Sequence, residues 1–163
     1  MDHVDNALRA SIKALEEVVA PAVDPSDPLA GEQLRLVIHT IGFLRERVDH
    51  IHARARFDLR HNLGLAHALL EDAPALRDPI AAGTALVANP DAPTAELRAG
   101  AAEVGAAIRT VVRDADDDVR RRIELRVVAA AQQRIELERS WHLPQGFDPD
   151  PASVLPLAAA LSA

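Results

Sequence analysis

The stretch Leu34-Arg35-Leu36-Val37-Ile38-His39-Thr40-Ile41-Gly42-Phe43-Leu44-Arg45-Glu46-Arg47-Val48 carries apolar side chains at 34, 37, 41, 44 and 48. Steps of three and four place them on one side of an α-helix, where successive turns stack, whereas a strand would alternate in twos. The seam continues through Ile51, Ala55, Leu59, Leu63, Ala66 and Leu70. It is heptad-like to Ala55 and then takes two steps of four, which shifts the face presented to a partner. One helical segment over 28–70 follows.

Working outward, Leu8, Ile12, Leu15 and Val19 form a stripe that predicts a helix over 4–20. A short segment covers 79–88. A second long one covers 95–141, with Leu97, Ala101, Val104, Ile108, Val111, Ala115, Val119, Ile123, Val127, Ala131 and Ile135 as its seam. A short apolar segment spans 151–161. Asp27-Pro28, Asp78-Pro79 and Asp150-Pro151 each set a capping carboxylate beside a proline suited to a first helical position, and Thr94-Ala95-Glu96 offers another start. The expected fold is therefore all-α: a bundle of four to five helices with two long antiparallel ones, residues 1–163 forming a single domain. The tail 143–163 is expected to dock on the body or to be exchanged with a partner.

A continuous helix of roughly 45 residues would be about 67 Å long, against a radius of gyration near about 15 Å for a compact chain of this size. Either the long segments break or the molecule is an elongated hairpin sharing its seam with a second subunit. Asn62-Leu63-Gly64 and the acidic stretch 114–118 are the candidate breaks, since Gly, Asn and Asp are poor in helix interiors. Gly42, Gly64, Gly100 and Gly105 lie inside helices, which fits close helix approach or room for a ligand.

Composition narrows the function. With no cysteine there is neither a disulfide framework nor a thiolate metal site. The opening Met1-Asp2-His3-Val4-Asp5 is acidic, unlike a signal peptide, and no apolar run approaches the roughly 20 residues that span a bilayer. The cytoplasm is the expected compartment, with no membrane partner. The formal charge is −7, and the only aromatic residues are Phe43, Phe57, Phe147 and Trp141. A nucleic-acid partner is not expected, for want of a concentrated basic face or a base-stacking platform.

Histidine placement is the unusual feature. His39, His50, His52, His61 and His67, five of the seven, fall in the segment 28–70. Carboxylates stand three or four positions away, as in Asp49 with His52. Imidazole and carboxylate together suit divalent iron, manganese or zinc. Antiparallel pairing of the long segments would bring Asp49, His50 and His52 near Asp117 and Asp118, the best candidate metal site. A carboxylate–histidine bundle of the di-iron kind needs Glu-x-x-His on two helices, and this chain has none, so solvated i,i+3 and i,i+4 pairs are the simpler reading. No cofactor is otherwise implied. Arg45, Arg47, Arg54 and Arg56 make a basic zone that could hold an anion such as a nucleotide or acyl-CoA. The interleaved Glu46, Asp49 and Asp58 point instead to salt bridges. No Gly-x-Ser-x-Gly, Walker loop, Gly-x-Gly-x-x-Gly or helix-turn-helix is present.

The string Gln33-Leu34-Arg35-Leu36-Val37-Ile38-His39-Thr40-Ile41-Gly42-Phe43-Leu44-Arg45-Glu46-Arg47, with Leu15-Glu16-Glu17-Val18-Val19-Ala20-Pro21 before it, resembles an uncharacterised all-helical domain. That domain is encoded beside acyl-CoA dehydrogenases and aminoglycoside-phosphotransferase-like enzymes. The resemblance covers about the first third of the chain and implies a helical accessory protein, with no catalytic residues to carry over. The expected function is a non-enzymatic helical accessory or interaction protein, homodimeric and open to a protein partner; metal binding or anion binding is the alternative.

Overall fold

The computed structural model describes residues 3–162, so Met1, Asp2 and Ala163 lie outside it. Among the described residues there is no strand. The chain is an all-α bundle of α1 (His3–Ala14), α2 (Pro28–Arg47), α3 (Ile51–Leu69), α4 (Arg77–Ala88), α5 (Thr94–Asp114), α6 (Asp117–His142) and α7 (Leu157–Ser162). It divides into two compact units, Met1–Asp49 with His142–Pro149 and His50–Trp141 with Asp150–Ala163.

The first unit is an antiparallel hairpin of α1 and α2, with the 3₁₀ turn Leu143–Gln145 against α2 and His142 stacked on Phe43. Asp5 of α1 pairs with Arg45 of α2 at 2.6 Å, bringing the start of the hairpin against its end. Past Ala14 the helix widens into a π turn, Leu15–Val19, where the Ala20 N–H reaches the Leu15 carbonyl. Pro21 explains the widening: it has no N–H to give to Glu17, and its ring crowds that carbonyl. α2 starts as its sequence predicts, with Pro28 in the first turn and the Asp27 carboxylate accepting from the Ala30 N–H at 3.0 Å.

Both long segments break. The segment 28–70 does so at the 3₁₀ turn Val48–His50. A 3₁₀ turn has three residues, so the step of three from Val48 to Ile51 satisfies it as well as an α turn, and the apolar period runs through without a mark. The Asn62-Leu63-Gly64 candidate is instead helix interior in α3. The fourth segment breaks within its acidic stretch. Ala115 is extended, and the Asp116 carboxylate accepts from the Val119 N–H at 2.8 Å, capping α6. Two other starts move. α4 begins at Arg77, placing Asp78 inside the first turn, and Pro151–Ser153 is a 3₁₀ turn with α7 beginning at Leu157.

In the second unit α3 is the central helix. α5 lies parallel to it: His52 Nδ1 is 3.0 Å from Thr94 Oγ1, and Asn62 donates to the Ala101 carbonyl at 2.8 Å further along both helices. Leu59, Leu69, Leu76, Leu97 and Val104 are fully buried where α3, α4 and α5 meet. Close approach is bought with glycine: a Cβ on Gly83 would lie 3.0 Å from Leu63, and one on Gly100 would lie 2.9 Å from Leu86. α6 runs antiparallel to α3 and buries Ile123 and Leu137. Leu137 joins Phe57, Ala160 and Leu161, so the C-terminal α7 docks on this same unit, and Arg60 holds the Leu161 carbonyl at 2.8 Å. The seam read from sequence past the break is displaced, since Val127 and Ile135 are exposed.

Candidate functional site

The structure does not gather the residues proposed as a metal site. Asp49 is exposed on the turn between α2 and α3, and His52 is engaged with Thr94. Asp117 is 98% exposed and pairs with Arg120 at 3.4 Å, while Asp118 is exposed at the start of α6. The reason is topological. The helix antiparallel to α3 starts after the 115–116 turn, so its acidic start lies beside the end of α3 and its far end beside the start. Arg126, near the beginning of α6, donates to the Ala68 carbonyl, and Arg54, near the beginning of α3, reaches Glu138. His61 stacks on Phe57 and faces Gln133 at 3.3 Å. Among the described residues no group of three His, Asp or Glu side chains is placed to hold a metal ion.

The arginines of the basic zone do not share a pocket either. Arg45 is taken by Asp5. Arg47 is buried, with its guanidinium 5.6 Å from the Phe43 ring centre and 3.1 Å from the Glu46 carbonyl; burial lowers its pKa and the Glu46 charge opposes that. Arg56 donates to the carbonyls of Val87, Asn89 and Pro90, closing the end of α4. Arg54 lies over the Trp141 ring at 5.0 Å and pairs with Asp58 at 3.3 Å.

Those last contacts belong to a pattern that sequence reading missed. Arg54, Asp58, Arg134 and Glu138 form a closed ring of alternating charge between α3 and α6. At the other end, Asp72 binds Arg122 through one oxygen at 2.8 Å and Arg126 through the other at 2.8 Å. The Arg122 hydrogen bond is the main reason the Asp72 carboxyl is held below the usual carboxylate range. In sequence Asp72 is one acid in a turn, and nothing local marks it as the residue that holds α6.

The remaining unusual feature is the α1–α2 hairpin. α1 buries no residue at all, and α2 buries only Arg47. Val4, Val18, Leu29, Leu36, Val37 and Leu44 are exposed. On α2 the half-buried Leu34, Ile38 and Ile41 face α1, while Leu29, Leu36, Thr40 and Leu44 stand about a quarter turn or more to one side. With Val37 these apolar residues spread over about 200° at 100° per residue, an arc interrupted by Gln33, Thr40 and Arg47 but roughly twice the stripe that one packing face requires. On α1 the exposed stripe Val4, Ala7, Ser11, Ala14 and Val18 has alternating steps of three and four, displaced from Leu8, Ile12 and Leu15 in the same rotational sense. Equal rotations on antiparallel helices point to the same side of a hairpin. Large side chains from α2 and small ones from α1 thus line one open face.

Comparison of the chain with protein families, with curated proteins and with solved structures finds no match. Among the described residues no helix is long and apolar enough to cross a membrane.

Proposed function

We propose that this is a non-enzymatic, cytoplasmic helical interaction protein that forms a homodimer through the open face of the α1–α2 hairpin. The observation that carries the reading is a helical hairpin in which no apolar side chain of α1 or α2 is buried. A helix must bury its apolar stripe against another element, and short helices gain most of their stability that way. Two copies related by a two-fold axis lay the large residues of each α2 on the small residues of the partner's α1, the alternation that lets layers interdigitate. Four helices then enclose the seam, as in other bundles. The accessory role implied by the resemblance of the first third is part of this proposal.

α6 supplies a second stripe, because Leu125, Val128 and Ile135 are exposed. It belongs to a helix already anchored by a buried seam, so it ranks below the hairpin. Sedimentation velocity separates the two. The wild type is expected to sediment as a dimer, Leu36→Glu with Leu44→Glu as a monomer, and Leu125→Glu with Val128→Glu as a dimer. A compact wild-type monomer at micromolar concentration would sink the proposal.

A further inference from the structure

The two charge clusters hold α6 against α3 and the turn after it, and an open groove remains between the apolar sides of α5 and α6. Between them lies a groove of about 430 Å³ lined by Leu65, Ile108, Val112, Ile123, Val127 and Val128. At Leu65, Ile108 and Arg109 it opens into a polar bay of about 530 Å³ bounded by Asp58, Asn62, Gly105 and Arg134. From Ala101 to Arg113, the α5 wall of the whole cleft is about 18 Å long at 1.5 Å per residue, the length of an extended alkyl chain. Either volume is in the range of small-molecule sites.

The polar groups of the bay are unequal. Asp58 and Arg134 neutralise each other within the charge ring, and Asn62 is committed to the Ala101 carbonyl. Arg113, on the rim of the groove, pairs with Asp114 at 3.1 Å. Arg109 has no hydrogen-bond or ion-pair partner among the described residues. A Cβ on Gly105 would lie 3.4 Å from Arg109 Nη1 and 3.4 Å from Asn62 Nδ2, so the guanidinium lies close beside bare backbone.

We propose that this cleft binds an amphiphile with an alkyl chain and a single carboxylate head, the chain in the α5–α6 groove and the head on Arg109. A guanidinium pairs with a carboxylate in bidentate fashion, and an apolar wall takes the chain out of water. The head carries one charge because Arg109 is the single uncommitted cation there, while Glu124 on the far rim opposes a dianion such as an alkyl phosphate. The site lies wholly in the second unit and does not depend on the hairpin dimer.

The test is displacement of a fluorescent fatty-acid probe, dansyl-undecanoate, from the full chain. Saturable binding at one site per chain is expected, with laurate displacing the probe more effectively than hexanoate, dodecanol or dodecyl phosphate. Arg109 is exposed, so Arg109→Gln should keep the wild-type circular dichroism and weaken laurate by about tenfold or more, as loss of a charged hydrogen-bond pair does. Its dodecanol affinity should not change. Val128→Glu, at a rim position 72% exposed, should weaken both. Absence of saturable binding overturns the proposal. So does laurate affinity equal in wild type and Arg109→Gln, or binding lost in Leu36→Glu with Leu44→Glu, which would place the amphiphile on the hairpin.

Discussion

Asp72 shows what a single side chain contributes. It sits just beyond the end of α3 and receives both Arg122 and Arg126 from α6. Its folded pKa lies below the unfolded value, so its contribution is present above about pH 4 and is lost as pH falls through the folded value. Thermal melts should show Asp72→Asn less stable than wild type at pH 7, with the gap narrowing steadily below pH 4. A gap that stays constant to pH 2.5 would remove the charge from the explanation. Leu59 acts through volume instead. It is fully buried between α3, α4 and α5, touching the space that Gly83 and Gly100 leave open. Leu59→Ala should cost about 2–5 kcal/mol in urea denaturation.

Helices end and pack for reasons that differ from one glycine or aspartate to the next. Gly42 and Gly64 have open space around a built Cβ, so alanine at either should stabilise its helix by about 0.5–1 kcal/mol. Gly83 faces Leu63, Leu59 and Val104 within 3.0–3.4 Å, so Gly83→Ala should destabilise despite the same gain in helix propensity. Denaturation midpoints moving in opposite directions would confirm the distinction. Asp116→Ala removes the α6 cap and should cost about 1 kcal/mol, read in the same titration. Some of this was legible beforehand. The Asp27-Pro28 start and the acidic break in the fourth segment are local signals, carried by capping carboxylates and a fixed proline φ. The break at Val48–His50 has no Gly or Pro and only the single Asp49, and its three-residue turn preserves the apolar period, so the local signal was too weak to read.

At the scale of the whole molecule the two units differ in how complete they are. The second carries the buried core, including Leu59, Leu69, Leu97, Ile123 and Leu137. The first has a hairpin whose apolar face is open. If dimerisation covers that face, dilution should expose amides of α1 and α2 to hydrogen exchange before those of α3 and α5. Uniform protection across both units at every concentration would contradict the dimer. The candidate site was the least legible part. Asp49, His50, His52, Asp117 and Asp118 were paired by assuming that one unbroken long helix lies against another. α4 intervenes, so α5 goes parallel to α3, the turn at 115–116 makes α6 antiparallel, and Asp117 and Asp118 finish at the opposite end from His50 and His52.

Helical class, apolar period, several caps and the missing catalytic motifs follow from this sequence alone, because each depends on residues within a few positions of one another. Which helices are neighbours, which arginine finds which carboxylate, and which apolar stripe stays open depend on groups brought together across tens of residues. Arg54 with Glu138 and Asp72 with Arg126 are such pairs. Their meeting is decided by the directions taken at the three connections 70–76, 89–93 and 115–116, and that information exists only once the chain has folded.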